Sequence, residues 1–334
     1  MELKSLRKAS EEFAKRLSDS AFIHTEADAT KDSTVDSLTS VGIDGSMFPT
    51  GGIGGLWYVP YAIVRVIFRN GNKSDPKIDI YAADVAVLRE QEDYNIKGQA
   101  EKIMMIGETK AIRTWGEKKV HSAVFIDGPC IDPPAWSDEV YVRERCTALR
   151  TVVELSKILG CVKRSRDSWF QESIGSALEE DPAASSLRMF PSDQHFFSFV
   201  FTALRKGGVK GGLFTDAIEI PANASPALAA YSKQGMRLIS FFFQRDAGTV
   251  PLRFDIPVFS TDALSSDGLR NLARESAGLA LHWTYPAYDY PLPVMLAHEK
   301  CAIRQGCAEV LYDEIITRSR SGDPFDQMAA IQLR

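Results

Sequence analysis

Three strand-like runs follow one another between Ser40 and Leu88 on connections too short to hold a helix, and from Tyr94 the pattern changes to alternating helix and strand. Ser40–Asp44 (SVGID) is short and apolar and stops at Gly45. Leu56–Asn70 (LWYVPYAIVRVIFRN) is rich in aromatic and β-branched residues, and Pro60 places it at an edge or a bulge. Lys77–Leu88 (KIDIYAADVAVL) follows the turn Gly71-Asn72. Runs so closely spaced pair as an antiparallel meander. Tyr94–Trp115 then reads as a helix with Ile103, Met104, Gly107 and Ala111 on one face, and Ser122–Asp127 (SAVFID) as an apolar strand ended by Gly128-Pro129. Asp138–Leu159 reads as a second long helix with Leu149, Val152, Val153 and Leu159 inward, and Gly160–Arg164 as a short fifth strand.

A strand reached through a crossover helix pairs in parallel with its predecessor. Three antiparallel strands followed by two such units give an α/β fold with a mixed five-stranded sheet flanked by helices, the order of the ribonuclease H-like fold. Further elements surround it. Met1–Ser20 reads as a helix and His24–Ser40 as loop or weak helix. Gln194–Lys206 is helical and Gly207–Gly212 a loop, while Met236–Arg245 and Val250–Phe259 form a hairpin across Asp246-Ala247-Gly248. Ser265–Ala280 and Pro293–Arg318 are the last two helices, the second with proline at its start. The organisation expected is an N-terminal helix and linker over 1–38, a main domain over 39–320 and a tail over 321–334.

Composition narrows the setting. No apolar run approaches the length of a membrane span, and Met1–Ser18 is charged throughout, unlike a secretory signal. The 5 cysteines form no CxxC pair, which suits reduced thiols and a cytoplasmic location. A net charge of −5 opposes general basic binding of nucleic acid but leaves room for a local basic groove.

Asp44 and Asp127 each end a predicted strand, at the crevice where α/β sheets bind ligands. Either one alone, in Asp-Gly-Ser or Asp-Gly-Pro, is ordinary turn chemistry. If the fourth strand lies beside the first, the two carboxylates converge and need a cation between them. All-oxygen ligation favours Mg²⁺ or Mn²⁺ over zinc. Glu108, on the inward side of its helix, is the third acidic candidate. His298-Glu299 on the last helix is not a zincin motif, because Ala302 stands where a second histidine is needed; His298 can serve as a ligand, phosphate contact or proton carrier. Lys163 and Arg164 end the fifth strand on the crevice side, placed to meet phosphate. Gly51–Gly55 lacks the Gly-Lys-Ser/Thr of a phosphate loop.

These pieces resemble the NurA nuclease family. The resemblance lies in Asp44-Gly45-Ser46, Phe125-Ile126-Asp127-Gly128-Pro129, Val162-Lys163-Arg164-Ser165 and Phe254-Asp255-Ile256-Pro257, and above all in Tyr290-Pro291-Leu292-Pro293 leading to Ala297-His298-Glu299-Lys300. It runs from Val41 to about Arg304, with 167–233 unmatched. It implies a ribonuclease H-like core, a homodimer, Mn²⁺-dependent 5′–3′ exonuclease and single-strand endonuclease activity on DNA, and a HerA-type hexameric ATPase as partner in DNA end resection and repair. The family's acidic metal ligands match Asp44, Glu108 and Asp127. Its C-terminal tyrosine and histidine match Tyr290 and His298, with Tyr285 and His282 as the alternatives. Asp255 departs from the pattern, since a longer glutamate is expected there.

The mechanism implied is two-metal phosphodiester hydrolysis, one ion on Asp44 and Asp127, a second on Asp44 and Glu108, about 3.5–4 Å apart. Two other readings share this frame: a catalytically idle DNA-binding or ATPase-docking subunit, and a ribonuclease.

Overall fold

A computed structural model describes residues 3–29, 37–53, 56–89, 95–132, 137–177 and 184–319. Helix α1 (Leu3–Asp19) leads into strand β1 (Ile23–Thr25), followed by β2 (Thr39–Met47), β3 (Thr50–Ile53), β4 (Leu56–Phe68) and β5 (Lys77–Arg89). Then come α2 (Ile96–Gly116), β6 (Ser122–Asp127), α3 (Glu139–Val153) and β7 (Lys157–Val162). The second half holds α4 (Trp169–Ala177), α5 (Ala184–Leu187), α6 (Asp193–Lys206), β8 (Leu213–Thr215), β9 (Ile218–Ile220), α7 (Pro226–Ser232), β10 (Arg237–Gln244), β11 (Leu252–Val258), α8 (Ser266–Trp283), α9 (Leu292–Cys301) and α10 (Gln305–Ser319).

The five expected strands lie side by side as β5-β4-β2-β6-β7. The meander β2-β4-β5 is antiparallel, and β6 and β7 pair in parallel after their crossover helices. This is the ribonuclease H-like arrangement. The sheet does not stop at β7: β11 pairs with it antiparallel, and β10, β8 and β1 follow, making 11 strands with β3 and β9. The hairpin therefore extends the central sheet. Part of the linker, read as loop or weak helix, is strand β1 paired with β8, and α1 packs through Phe13 against Phe196 of α6.

Four boundaries differ from the sequence reading. α3 stops at Val153, and the fifth strand is Lys157–Val162, because this β-branched run pairs with Ala123–Asp127; Leu159 is a strand residue. The helix expected over Pro293–Arg318 is two, broken at Ala302 to Arg304, where Ile303 N donates to Ser46 Oγ at 3.2 Å. Pro60 lies neither on an edge strand nor at the β4 bulge, which falls between Ile63 and Val64. It sits opposite the gap between β2 and β3, both of which pair with β4. Asp44 does not end its strand: β4 pairs with β2 through Met47. The acidic run 179–181 and the tail beyond 319 lie outside the described residues.

Two cores sit on opposite faces of the central strands. Val41, Ile43, Val124 and Ile126 pack toward α2, α3 and α7, while Val64, Phe68 and Phe125 pack toward α8 and α9. Alternation along β2 thus sends Gly42 and Asp44 to the α9 face and Gly45 to the α2 face. A Cβ on Gly42 would lie 1.9 Å from Pro293 O, so the start of α9 rests directly on this glycine. That close approach fixes where the rest of α9 falls.

Candidate metal centre

β6 pairs with β2 only as far as Ile43, so Asp44 stands one residue past its parallel neighbour although its own strand continues. Asp127 is the last residue of β6. Their carboxylates meet at one imidazole: His298 Nδ1 is 2.8 Å from Asp44 Oδ2 and 3.1 Å from Asp127 Oδ2. α9 supplies this histidine about a turn and a half past its contact with Gly42. Asp44 Oδ1 accepts from Gly45 N at 2.8 Å, and Cys301 Sγ donates to Oδ2 at 3.4 Å. On Asp127, Lys163 Nζ donates to Oδ2 at 2.6 Å and lies 4.3 Å from the centre of the Tyr290 ring. Lys163 thus links Tyr290 to the cluster.

The electrostatics follow from this crowding. Burial and the Asp44 carboxylate push the Asp127 carboxyl up to about 6, against the pull of Lys163. The hydrogen bond to Asp44 raises His298, opposed by partial burial and Lys163. Glu108 comes from α2 on the other face, and its Oε1 would lie 2.8 Å from a Cβ on Gly45. Burial first, then Asp44, Asp132 and Asp127, hold it well above the usual carboxylate range, against the pull of Arg145. Among the described residues, the set of ligand atoms lying within 4.8 Å of one another comes from Asp44, Asp127 and His298. Glu108 is not in that set and approaches β2 from the opposite face.

The remaining candidates divide. Arg164 is exposed and lines a cavity together with Pro129 and Trp169. Asp255 is fully buried in an ion pair with Arg253 at 2.9 Å and accepts from Ser240 Oγ at 2.8 Å, outside the cluster. Tyr285 stands with Lys73, 5.3 Å from its ring centre. The sequence reading misses Cys301, although its spacing of three from His298 on one helix signals a shared face. It also misses Arg145, which is 0% exposed and donates to Cys130 O, just beyond Asp127, and to Thr109, beside Glu108.

Two convergent carboxylates, one of them raised by the other, fit a divalent cation held between them and the imidazole. Two carboxylates with one imidazole form a donor set that a divalent metal ion can accept. No helix among the described residues is long and apolar enough to cross a membrane.

No family model and no curated protein matches this chain. Among solved structures it is similar to the NurA nuclease from Sulfolobus solfataricus, with a TM-score of 0.56, 13% identity and 94% of each chain covered. A second NurA structure gives a TM-score of 0.42 at 12% identity, over 92% of this chain and 95% of that one. Endonuclease V of Ciona intestinalis, solved with a 23mer DNA containing an inosine followed by a ribo-adenosine, gives 0.35 at 12% identity, over 90% and 97%. The first likeness, nearly end to end, shows a shared fold, in agreement with the resemblance read from the sequence.

Proposed function

We propose that this chain is a metal-dependent DNA nuclease with its centre at Asp44, Asp127 and His298. The observation that carries the reading is the meeting of both carboxylates at His298 Nδ1, 2.8 and 3.1 Å away, at the end of the parallel strands. Asp44 and Asp127 hold the cation, and Glu108 is the candidate for a second ion. Bound there, Mn²⁺ or Mg²⁺ supplies a deprotonated water and offsets charge on the scissile phosphate. His298 keeps its ring 58% exposed with Nδ1 engaged, which leaves Nε2 as the nitrogen that meets substrate and carries a proton. Lys163 turns from Asp127 to a phosphate oxygen, and Tyr290, under its ammonium, steadies that position.

The finer features are part of the same proposal: 5′–3′ exonuclease and single-strand endonuclease activity, a homodimer in the cytoplasm, and work with a HerA-type ATPase in end resection. A manganese-supplemented assay on 5′-labelled single-stranded DNA tests the core of it. Asp44→Ala and Asp127→Ala are expected to abolish cleavage, and variants that cut as fast as wild type would sink the assignment. Matched RNA in the same assay separates a ribonuclease, and co-elution with a HerA-type ATPase tests the partnership.

A further inference from the structure

A cavity of about 350 Å³ opens on the α7 side of the strand ends, across the sheet from His298. Two chain segments serve both places. Pro129, on its wall, lies two residues past Asp127, and Val162 and Arg164, also lining it, flank Lys163. The backbone that presents the metal centre to one face therefore shapes this cavity on the other.

Its lining sorts into three kinds of chemistry. Pro129, Ile131, Val162 and Leu228 make apolar walls, joined by Trp169, whose ring carries the Arg253 guanidinium 4.6 Å from its centre. Asp167 contributes a carboxylate: its Oδ2 accepts from Arg253 Nη1 at 2.5 Å and Ser165 Oγ at 3.4 Å, whereas Oδ1 accepts no hydrogen bond from the described residues. Arg164 is exposed at the cavity and has no acidic partner among the described residues. The volume is at the small end of ligand pockets, which hold apolar walls with a few placed polar groups. An anion alone has no use for the walls, and an apolar ligand none for Asp167. A flat ring with an N–H on its edge and a phosphate attached uses all three.

We propose that this cavity is a nucleobase pocket, which takes the base of the nucleotide next to the phosphate held at Asp44 and Asp127. The base lies between the apolar walls, its edge N–H donates to Asp167 Oδ1, and Arg164 meets its phosphate. The proposal rests on the nuclease reading, and it adds that a strand crosses the ends of β6 and β7 from one face of the sheet to the other.

The test has a binding arm and a cleavage arm. In chelator, without metal, the protein is titrated with deoxyguanosine monophosphate and with deoxyribose 5-phosphate, followed by NMR. The nucleotide is expected to bind at least about tenfold more tightly than the sugar phosphate. Ala227→Leu, which fills the cavity, removes that preference, and Arg164→Ala, at an exposed position, weakens both ligands without disturbing the fold. Equal affinity for the two ligands overturns the pocket. In the cleavage arm, manganese-dependent cutting is expected to slow at a single abasic nucleotide in wild type, with no such slowing in Ala227→Leu. Cleavage without any response to the missing base overturns the pocket and leaves the nuclease reading standing. Base binding by a protein that cuts no DNA overturns the nuclease reading and supports the pocket.

Discussion

Two acidic clusters flank the C-terminal part of β2, one on each face of the sheet, and they are neutralised in opposite ways. On the α2 face, Glu108 and Asp132 are closed in with Arg145, whose guanidinium Nε lies 3.3 Å from Asp132 and is 0% exposed. Tyr141 donates its hydroxyl to the same carboxylate. On the α9 face, Asp44 and Asp127 share His298, 58% exposed, and Lys163, 27% exposed. The Arg145–Asp132 pair has a counter-charge with nowhere to go, which makes it a brace. The open cluster has partners that reach solvent, so a cation can join the carboxylates and His298 while a phosphate draws Lys163 away. Carboxylates of similar chemistry thus serve structure or binding according to whether their partners can leave.

The largest effect is expected from breaking the brace. Removing one member of a buried ion pair strands the other and costs about 3–5 kcal/mol. Arg145→Met is therefore expected to lower unfolding free energy by that order in urea, and Asp132→Asn in the same chain to restore part of it. A loss below about 1 kcal/mol would mean that the two faces do not differ as described.

Next comes the contact that brings the open cluster together. Gly42→Ala places a methyl group on the Pro293 carbonyl, a backbone atom that can yield only if α9 shifts. Overpacking of this kind costs about 1–3 kcal/mol. The sharper readout is manganese binding by calorimetry, expected to fall together with cleavage because His298 moves away from Asp44. Unchanged manganese affinity would show that α9 does not set the site.

Much of this was legible from residue patterns, and the rest was not for definable reasons. Strands β2, β4, β5 and β6 carry apolar or alternating runs, so their order and the meeting of Asp44 and Asp127 follow from topology, whereas the four residues of β3 (TGGI) carry none. β1, β8 and β9 have three residues each, too few for a period to register. The hairpin β10–β11 is plain locally, but nothing local says that β11 docks on β7. Helical periodicity gives Glu108 an inward face without saying which side of the sheet that face meets, and the structure brings it to β2 from the α2 side. The bond between Cys301 and Asp44 joins residues 257 apart, and Gly42 acquires its meaning only once α9 lies across it.

The pH response separates the faces further. Asp127 has its carboxyl raised to about 6 in the fold, from 3.8. Its protonated form therefore favours the folded state: that contribution is complete below pH 3.8 and is lost as pH rises through about 6. Metal-free protein is expected to lose on the order of 3 kcal/mol over that window, and Asp127→Asn to flatten the slope. Saturating manganese should abolish the loss, since the cation favours the ionised form. A slope that manganese leaves untouched would assign the titration to the sealed face, where Asp132 is also raised.

The smallest change in stability, and the most discriminating, is expected for Lys163→Met. Its bond to Asp127 is partly exposed, so the pair contributes about 0–1 kcal/mol and the variant should unfold almost as wild type does. Lys163 also competes for the oxygen a cation would use, with 2.6 Å between Nζ and Asp127 Oδ2. Its removal is therefore expected to strengthen manganese binding, measured by calorimetry, while cleavage falls for want of a phosphate contact. The two readouts move in opposite directions only if Lys163 leaves Asp127 when substrate arrives. If both fall together, Lys163 is a fixed prop for the aspartate, and the open face is braced like the sealed one.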